Sequence, residues 1–74
     1  MIDKVLLLNI GFKDTSYSEF GNEFSEFTLI HEDEFIIQIS GLCYTEIRVK
    51  NEWLHVPNCK TVTDVVKLIN LFKL

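Results

Sequence analysis

The pattern of apolar and polar positions is clearest over residues 44–74. Thr45, Ile47 and Val49 alternate with Glu46, Arg48 and Lys50, the period of two that gives a strand one apolar and one charged face. Asn51 and Glu52 supply a turn. Trp53 to Val56 continues in β-compatible residues until Pro57, which has no N–H to donate, ends the pairing. From Thr61 to Leu74 the period changes. Val62, Val65, Val66, Ile69 and Phe72 recur three and four residues apart, Leu68 widens the stripe, and Lys67, Asn70 and Lys73 take the opposite side, which predicts an amphipathic helix. Asp64 in its first turn and Lys73 in its last suit the helix dipole. Thr61 and Thr63 are both suitable N-caps, and Thr61 with Asp64 three residues on imitates a capping box with the shorter acid.

The earlier chain yields to the same reading. Phe24 to His31 alternates, with Phe27 and Leu29 on one face and Glu26, Thr28 and Ile30 on the other. Glu32, Asp33 and Glu34 make a charged turn, and Phe35 to Ser40 forms the next strand with Phe35, Ile37 and Ile39 inward, broken by Gly41. From Lys13 to Asn22, the residues Asp14, Thr15, Ser16, Ser18, Gly21 and Asn22 mark a loop or a ragged edge strand interrupted by Tyr17 and Phe20. The opening apolar run, Val5 to Leu8 and Ile10, is too short for periodicity to separate buried strand from helix. Asp3 as N-cap and Gly11 near the C-cap favour a short helix over residues 3–9, with a strand as the alternative. These elements predict an α+β fold: an antiparallel β-meander of three to five strands, with the short N-terminal helix and the C-terminal amphipathic helix packed on one face. One two-layer core would then take nearly every large apolar residue.

Length and composition fit a single domain over residues 1–74. At 74 residues the chain lies near the lower limit for folding on one core without staples, so burial must be efficient. A hydrophobic fraction of 47% with six Phe, two Tyr and one Trp argues against disorder. No stretch approaches the ~20 apolar residues of a membrane span, and the N-terminus carries neither a basic region nor a small-residue cleavage site, so a cytoplasmic location is expected. Cys43 and Cys59 are too few for a disulfide scaffold and read as reduced thiols.

The opening Leu7-Leu8-Asn9-Ile10-Gly11-Phe12 and the closing Val65-Val66-Lys67-Leu68-Ile69-Asn70-Leu71-Phe72 resemble the two ends of short, uncharacterised α+β proteins of AT-rich bacteria and their phages. In that pattern a Leu-Gly-Phe helix end opens the chain and a helix with Leu-x-Asn-Leu-aromatic closes it. Val66, Ile69 and Phe72 stand where the pattern has His, Gln and Tyr. The resemblance implies a helix at each end with strands between, a phage or mobile-element source, and no known activity.

Candidate chemistry is sparse. His31, Cys43, His55 and Cys59 are zinc-ligand types, but their gaps of twelve, twelve and four residues do not follow the two-to-four-residue pairing of structural zinc sites. His55 four residues before Cys59 leaves a small metal- or thiol-dependent site as an alternative function, although a nucleophile also needs an oriented base, an oxyanion site and a cleft. His31-Glu32-Asp33-Glu34 lacks the second His of a metalloprotease helix, and the glycines are isolated, so no phosphate loop is present. No cofactor and no enzymatic activity are expected.

Charge adds the one functional colour. Between Asp14 and Glu34 there are seven acids and no Lys or Arg, whereas residues 44–74 carry five basic and three acidic residues within a net charge of -4. A negative end favours a basic protein partner and disfavours direct binding to nucleic acid. The expected function is therefore a non-enzymatic protein-interaction module that binds a basic host protein through Tyr17, Glu19, Phe20, Glu23 and Phe24, aromatics set among acids. A homodimer through an open sheet edge or through Trp53 is compatible with that role.

Overall fold

In the computed structural model, residues 1–31 and 35–71 are described. The chain runs α1 (Lys4–Asn9), β1 (Lys13–Asp14), β2 (Tyr17–Glu19), β3 (Asn22–Phe24), β4 (Glu26–His31), β5 (Phe35–Ser40), β6 (Tyr44–Val49), β7 (Glu52–His55) and α2 (Val62–Leu71). Strands β4 to β7 form an antiparallel meander and β1 adds to the outer side of β4, giving the order β1-β4-β5-β6-β7. Strands β2 and β3 form a separate antiparallel hairpin. The architecture is α+β as the patterning predicts, with residues 13–24 richer in strand than the predicted loop or ragged edge strand. The predicted turn at Glu32, Asp33 and Glu34 and the helix end at Phe72, Lys73 and Leu74 lie outside the described residues.

Helix α1 is set by its ends. The Asp3 carboxylate accepts from the N–H groups of Val5 and Leu6 at 2.8 and 3.2 Å, filling two of the orphan donors of the first turn. At the other end, Phe12 N–H donates to Leu7 O and Gly11 N–H to Leu8 O, the two bonds of a Schellman motif. Gly11 takes the required left-handed backbone at φ +106°. Leu7 and Phe12, the pair such a motif brings together, are both buried. The helix reading of residues 3–9 therefore holds over the strand alternative.

Helix α2 opens with the expected box. Asp64 N–H donates to Thr61 Oγ1, and the Asp64 carboxylate accepts from the N–H groups of Thr61 and Lys60. Those bonds hold the Asp64 carboxyl below its ordinary value, with Lys67 adding a small charge contribution. Val65 is fully buried and Val62, Leu68 and Ile69 pack against the core. Val66, placed on the apolar stripe by its spacing, is exposed; it sits one position round from the buried seam.

Both helices cover one face of the sheet. Registers Phe35↔Val49, Ile37↔Ile47, Ile39↔Thr45, Phe27↔Ile39 and Leu29↔Ile37 place these side chains on that face, where Ile2, Leu7, Phe12, Cys59 and Val65 complete the core. Ile2 is tied down by its N–H to Leu42 O at 2.8 Å. The other face carries Glu26, Thr28, Ile30, Ile36, Gln38, Tyr44, Glu46, Arg48, Trp53 and His55. The core does not take nearly every large apolar residue: Val5, Leu6, Leu8, Ile30, Trp53, Leu54 and Leu71 are among those exposed. Ile30 and Trp53 lie on the face the helices leave open, Val5, Leu6, Leu8 and Leu71 lie on the helices themselves, and Leu54 lies on the edge strand.

The turn between β6 and β7 lies one residue earlier than predicted. Val49 pairs with Glu52 across a two-residue loop of Lys50 and Asn51, both at positive φ, the geometry of a type I′ turn. The Arg48 guanidinium donates to the Asn51 side-chain oxygen, which helps hold a Lys in a backbone region that side chains disfavour.

Candidate functional site

Between β1 and β4 the chain leaves the sheet, forms the β2–β3 hairpin and returns. Its base is stapled by short polar bonds. Thr15 N–H donates to Glu26 O at 2.9 Å, Glu26 N–H donates to Ser16 Oγ at 3.0 Å, and the Thr15 and Thr28 hydroxyls share a bond of 2.8 Å. Ser16 N–H donates to the Asp14 carboxylate at 3.0 Å, a local Asx turn that redirects the chain into β2. The Ser16 hydroxyl and N–H together hold the Asp14 carboxyl below its ordinary value.

Beyond that base every residue from Tyr17 to Phe24 is exposed. Pairing is Tyr17↔Phe24, Ser18↔Glu23 and Glu19↔Asn22, so Tyr17, Glu19, Asn22 and Phe24 share one face and Ser18 and Glu23 the other. The Tyr17 and Phe24 rings stack with centroids 5.2 Å apart and planes 22° apart, an offset arrangement that the ring quadrupoles favour. At the tip, Phe20 and Gly21 turn the chain with φ of +52° and +79°, again a type I′ geometry. For Gly21 that backbone carries no steric penalty; for a bulky Phe it is strained. Phe20 is 94% exposed, so no burial within the chain offsets the strain.

All five residues singled out from sequence, Tyr17, Glu19, Phe20, Glu23 and Phe24, thus fall on one hairpin. An open cleft of about 520 Å³ lies against it, lined by Ser16, Tyr17, Ser18, Glu23, Phe24 and Ser25. The arrangement offers a partner one aromatic knob at the tip, an aromatic pair behind it, and carboxylates on both faces.

His55 and Cys59 are not brought together. His55 stacks on Tyr44 on the open face, with ring centroids 4.3 Å apart and planes 9° apart, while Cys59 is buried on the helical face. Burial pushes the Cys59 thiol above its ordinary value; the neighbouring Thr45 hydroxyl pulls the other way and the Asp64 charge adds to the rise. A thiol so placed stays protonated and is a poor nucleophile. Cys43 is exposed in the β5–β6 turn, and both thiols are free. Among the described residues no three His, Cys, Asp or Glu side chains come together as metal ligands, and no helix is long and apolar enough to cross a membrane.

One feature of the open face was invisible to sequence reasoning. Tyr44 and His55 are eleven residues apart, and only the Glu46↔His55 register makes them diagonal neighbours.

Compared with protein-family models, curated proteins and solved structures, the chain finds no match in any of the three.

Proposed function

We propose that this chain is a non-enzymatic protein-interaction module that binds a basic surface of a host protein through the β2–β3 hairpin, acting in the cytoplasm. The phage or mobile-element character implied by the sequence resemblance suits such a role. The observation that carries the reading is Phe20: a large aromatic held at the tip of a projecting hairpin, in a backbone conformation that favours Gly or Asn, and exposed to solvent. Aromatic residues, Phe among them, are enriched at protein–protein interfaces. Glu19 and Glu23 flank it, and no Lys or Arg occurs between Asp14 and Glu34, so a cationic partner surface is attracted and a phosphate backbone repelled.

The test is capture from a host lysate by tagged wild type and by a Glu19→Lys, Glu23→Lys double variant, washed at two salt concentrations. Raising salt from 0.1 to 1 M shortens the Debye length from about 10 to about 3 Å. The reading predicts a basic protein retained by wild type, released by the high-salt wash and absent from the variant. A variant that captures the same proteins as wild type contradicts it.

A further inference from the structure

Strand β7 closes the sheet, with β6 as its one neighbour among the described residues. Its four residues are all exposed, including Trp53 at 45% and Leu54 at 51%. Of the devices that blunt a sheet edge, β7 has its four-residue length and the one charge of Glu52 at its start, but no Lys, Pro or bulge, and Pro57 comes only after it. We infer that β7 is the pairing edge for a second copy of this chain, joined antiparallel about Leu54 to make one continuous ten-stranded sheet.

The register follows from the hydrogen-bond phase. Across the two-residue turn, Val49 and Glu52 form the bonded pair, and Val56 N–H donates to Thr45 O at 2.9 Å. Glu52, Leu54 and Val56 therefore face β6, and Trp53 and His55 turn their N–H and C=O groups outward. A two-fold axis perpendicular to the sheet keeps each side chain on its own face, so only residues of equal parity can sit opposite each other. Centring that axis on Leu54 sets Trp53 against His55 of the second copy, twice, and satisfies the outward backbone groups of both residues. Leu54 meets Leu54 of the second copy on the helical face as the non-bonded pair.

The side chains suit that register. On the open face the Tyr44–His55 stack is continued by Trp53 of the second copy, so aromatics run across the junction from both sides. On the helical face, two half-exposed leucines cover each other. No like charges meet, since Glu52 falls opposite Val56. A second copy is thus self-complementary at the three central pairs, Trp53 with His55 twice and Leu54 with Leu54, which a foreign strand need not be.

Sedimentation equilibrium over a series from low to high micromolar chain tests the inference. Wild type is expected to pass from monomer to a dimer of twice 8.7 kDa and no further. Added salt should hold or strengthen that dimer, because each copy carries a net charge of -4, opposite to its effect on capture by the hairpin. Leu54→Lys places two ammonium groups together at the axis and should weaken the dimer by about tenfold or more. Leu54→Cys in a Cys43→Ser background, oxidised with diamide, should cross-link, since a non-bonded antiparallel pair stands about 4.5 Å apart at Cα. Trp53→Cys, offset from its own copy, should not. If Leu54→Lys fails to fold, the cysteine pair decides. A wild type that stays monomeric throughout overturns the inference and leaves the edge to a foreign strand. A growing ladder of masses, as from head-to-tail pairing of β7 with the free end of β4, overturns it too, as does a dimer that Leu54→Cys does not cross-link.

Discussion

The five-stranded sheet and the β2–β3 hairpin are made from the same kind of antiparallel pairing, and they treat their apolar side chains in opposite ways. In β5, Phe35, Ile37 and Ile39 are buried against both helices. In the hairpin, Tyr17 and Phe24 have each other's rings for cover and Phe20 has no cover at all. A strand pair alone is marginal in water, so the hairpin persists because Ser16, Thr15 and Asp14 staple its base to β4. The two regions therefore differ in what their aromatic side chains contribute to folding. The body buries aromatic and aliphatic surface to stay folded; the arm displays aromatic surface at a conformational penalty, which folding alone does not explain.

That contrast is most easily broken in the body. Ile37→Ala removes a fully buried side chain from the central strand and should cost about 2–5 kcal/mol, a large part of the roughly 4–11 kcal/mol expected for a domain of this size. Denaturant unfolding measures it; a loss below about 1 kcal/mol would place the stabilising core elsewhere. Next comes the cap of α2. Thr61→Ala should cost about 1 kcal/mol by the same measurement. Its partner Asp64 predicts a pH dependence: the folded carboxyl lies below the ordinary 3.8, so the stabilisation is present above that value and is lost as pH falls through the folded one. Asp64→Asn should flatten the acid limb of a stability–pH profile, and an unchanged limb would exclude the box as its source.

A change of opposite sign is expected at Thr45. Its side chain is fully buried and its Oγ1 finds no hydrogen-bond partner among the described residues. Thr45→Val keeps the shape and removes the hydroxyl, so the variant should gain about 1 kcal/mol; a loss would show that the hydroxyl is engaged with Cys59. On the arm, Tyr17→Ala gives up one exposed ring stack and should cost under about 1 kcal/mol. A larger loss would make the hairpin part of the folding unit.

Much of the body was legible in the sequence because burial imposes a period. Alternation at Phe27, Leu29, Phe35, Ile37, Ile39, Thr45 and Ile47 tracks the helical face of the sheet, and Asp3, Gly11, Thr61 and Asp64 mark the helix ends by chemistry that works locally. The arm left no such trace. With neither face buried, its three-residue strands have no reason to alternate, and Phe20-Gly21 lacks the Asn or Asp that usually announces a type I′ turn. Lys50 hid the second such turn for the same reason. The exposure of Tyr17, Phe20 and Phe24 was readable from composition, since aromatics without an apolar period, set among acids, have no core to enter. Pairings across strands, Tyr44 with His55 above all, depend on register and came only with the fold.

The most direct measurement on the arm pairs stability with capture for Phe20→Asn. Asn accepts a left-handed backbone far more readily than Phe, so relieving φ +52° should raise unfolding stability by about 1 kcal/mol. Removing the aromatic knob should at the same time abolish capture of the basic partner. A variant that is less stable, or that captures as well as wild type, would contradict the assignment of Phe20 to recognition.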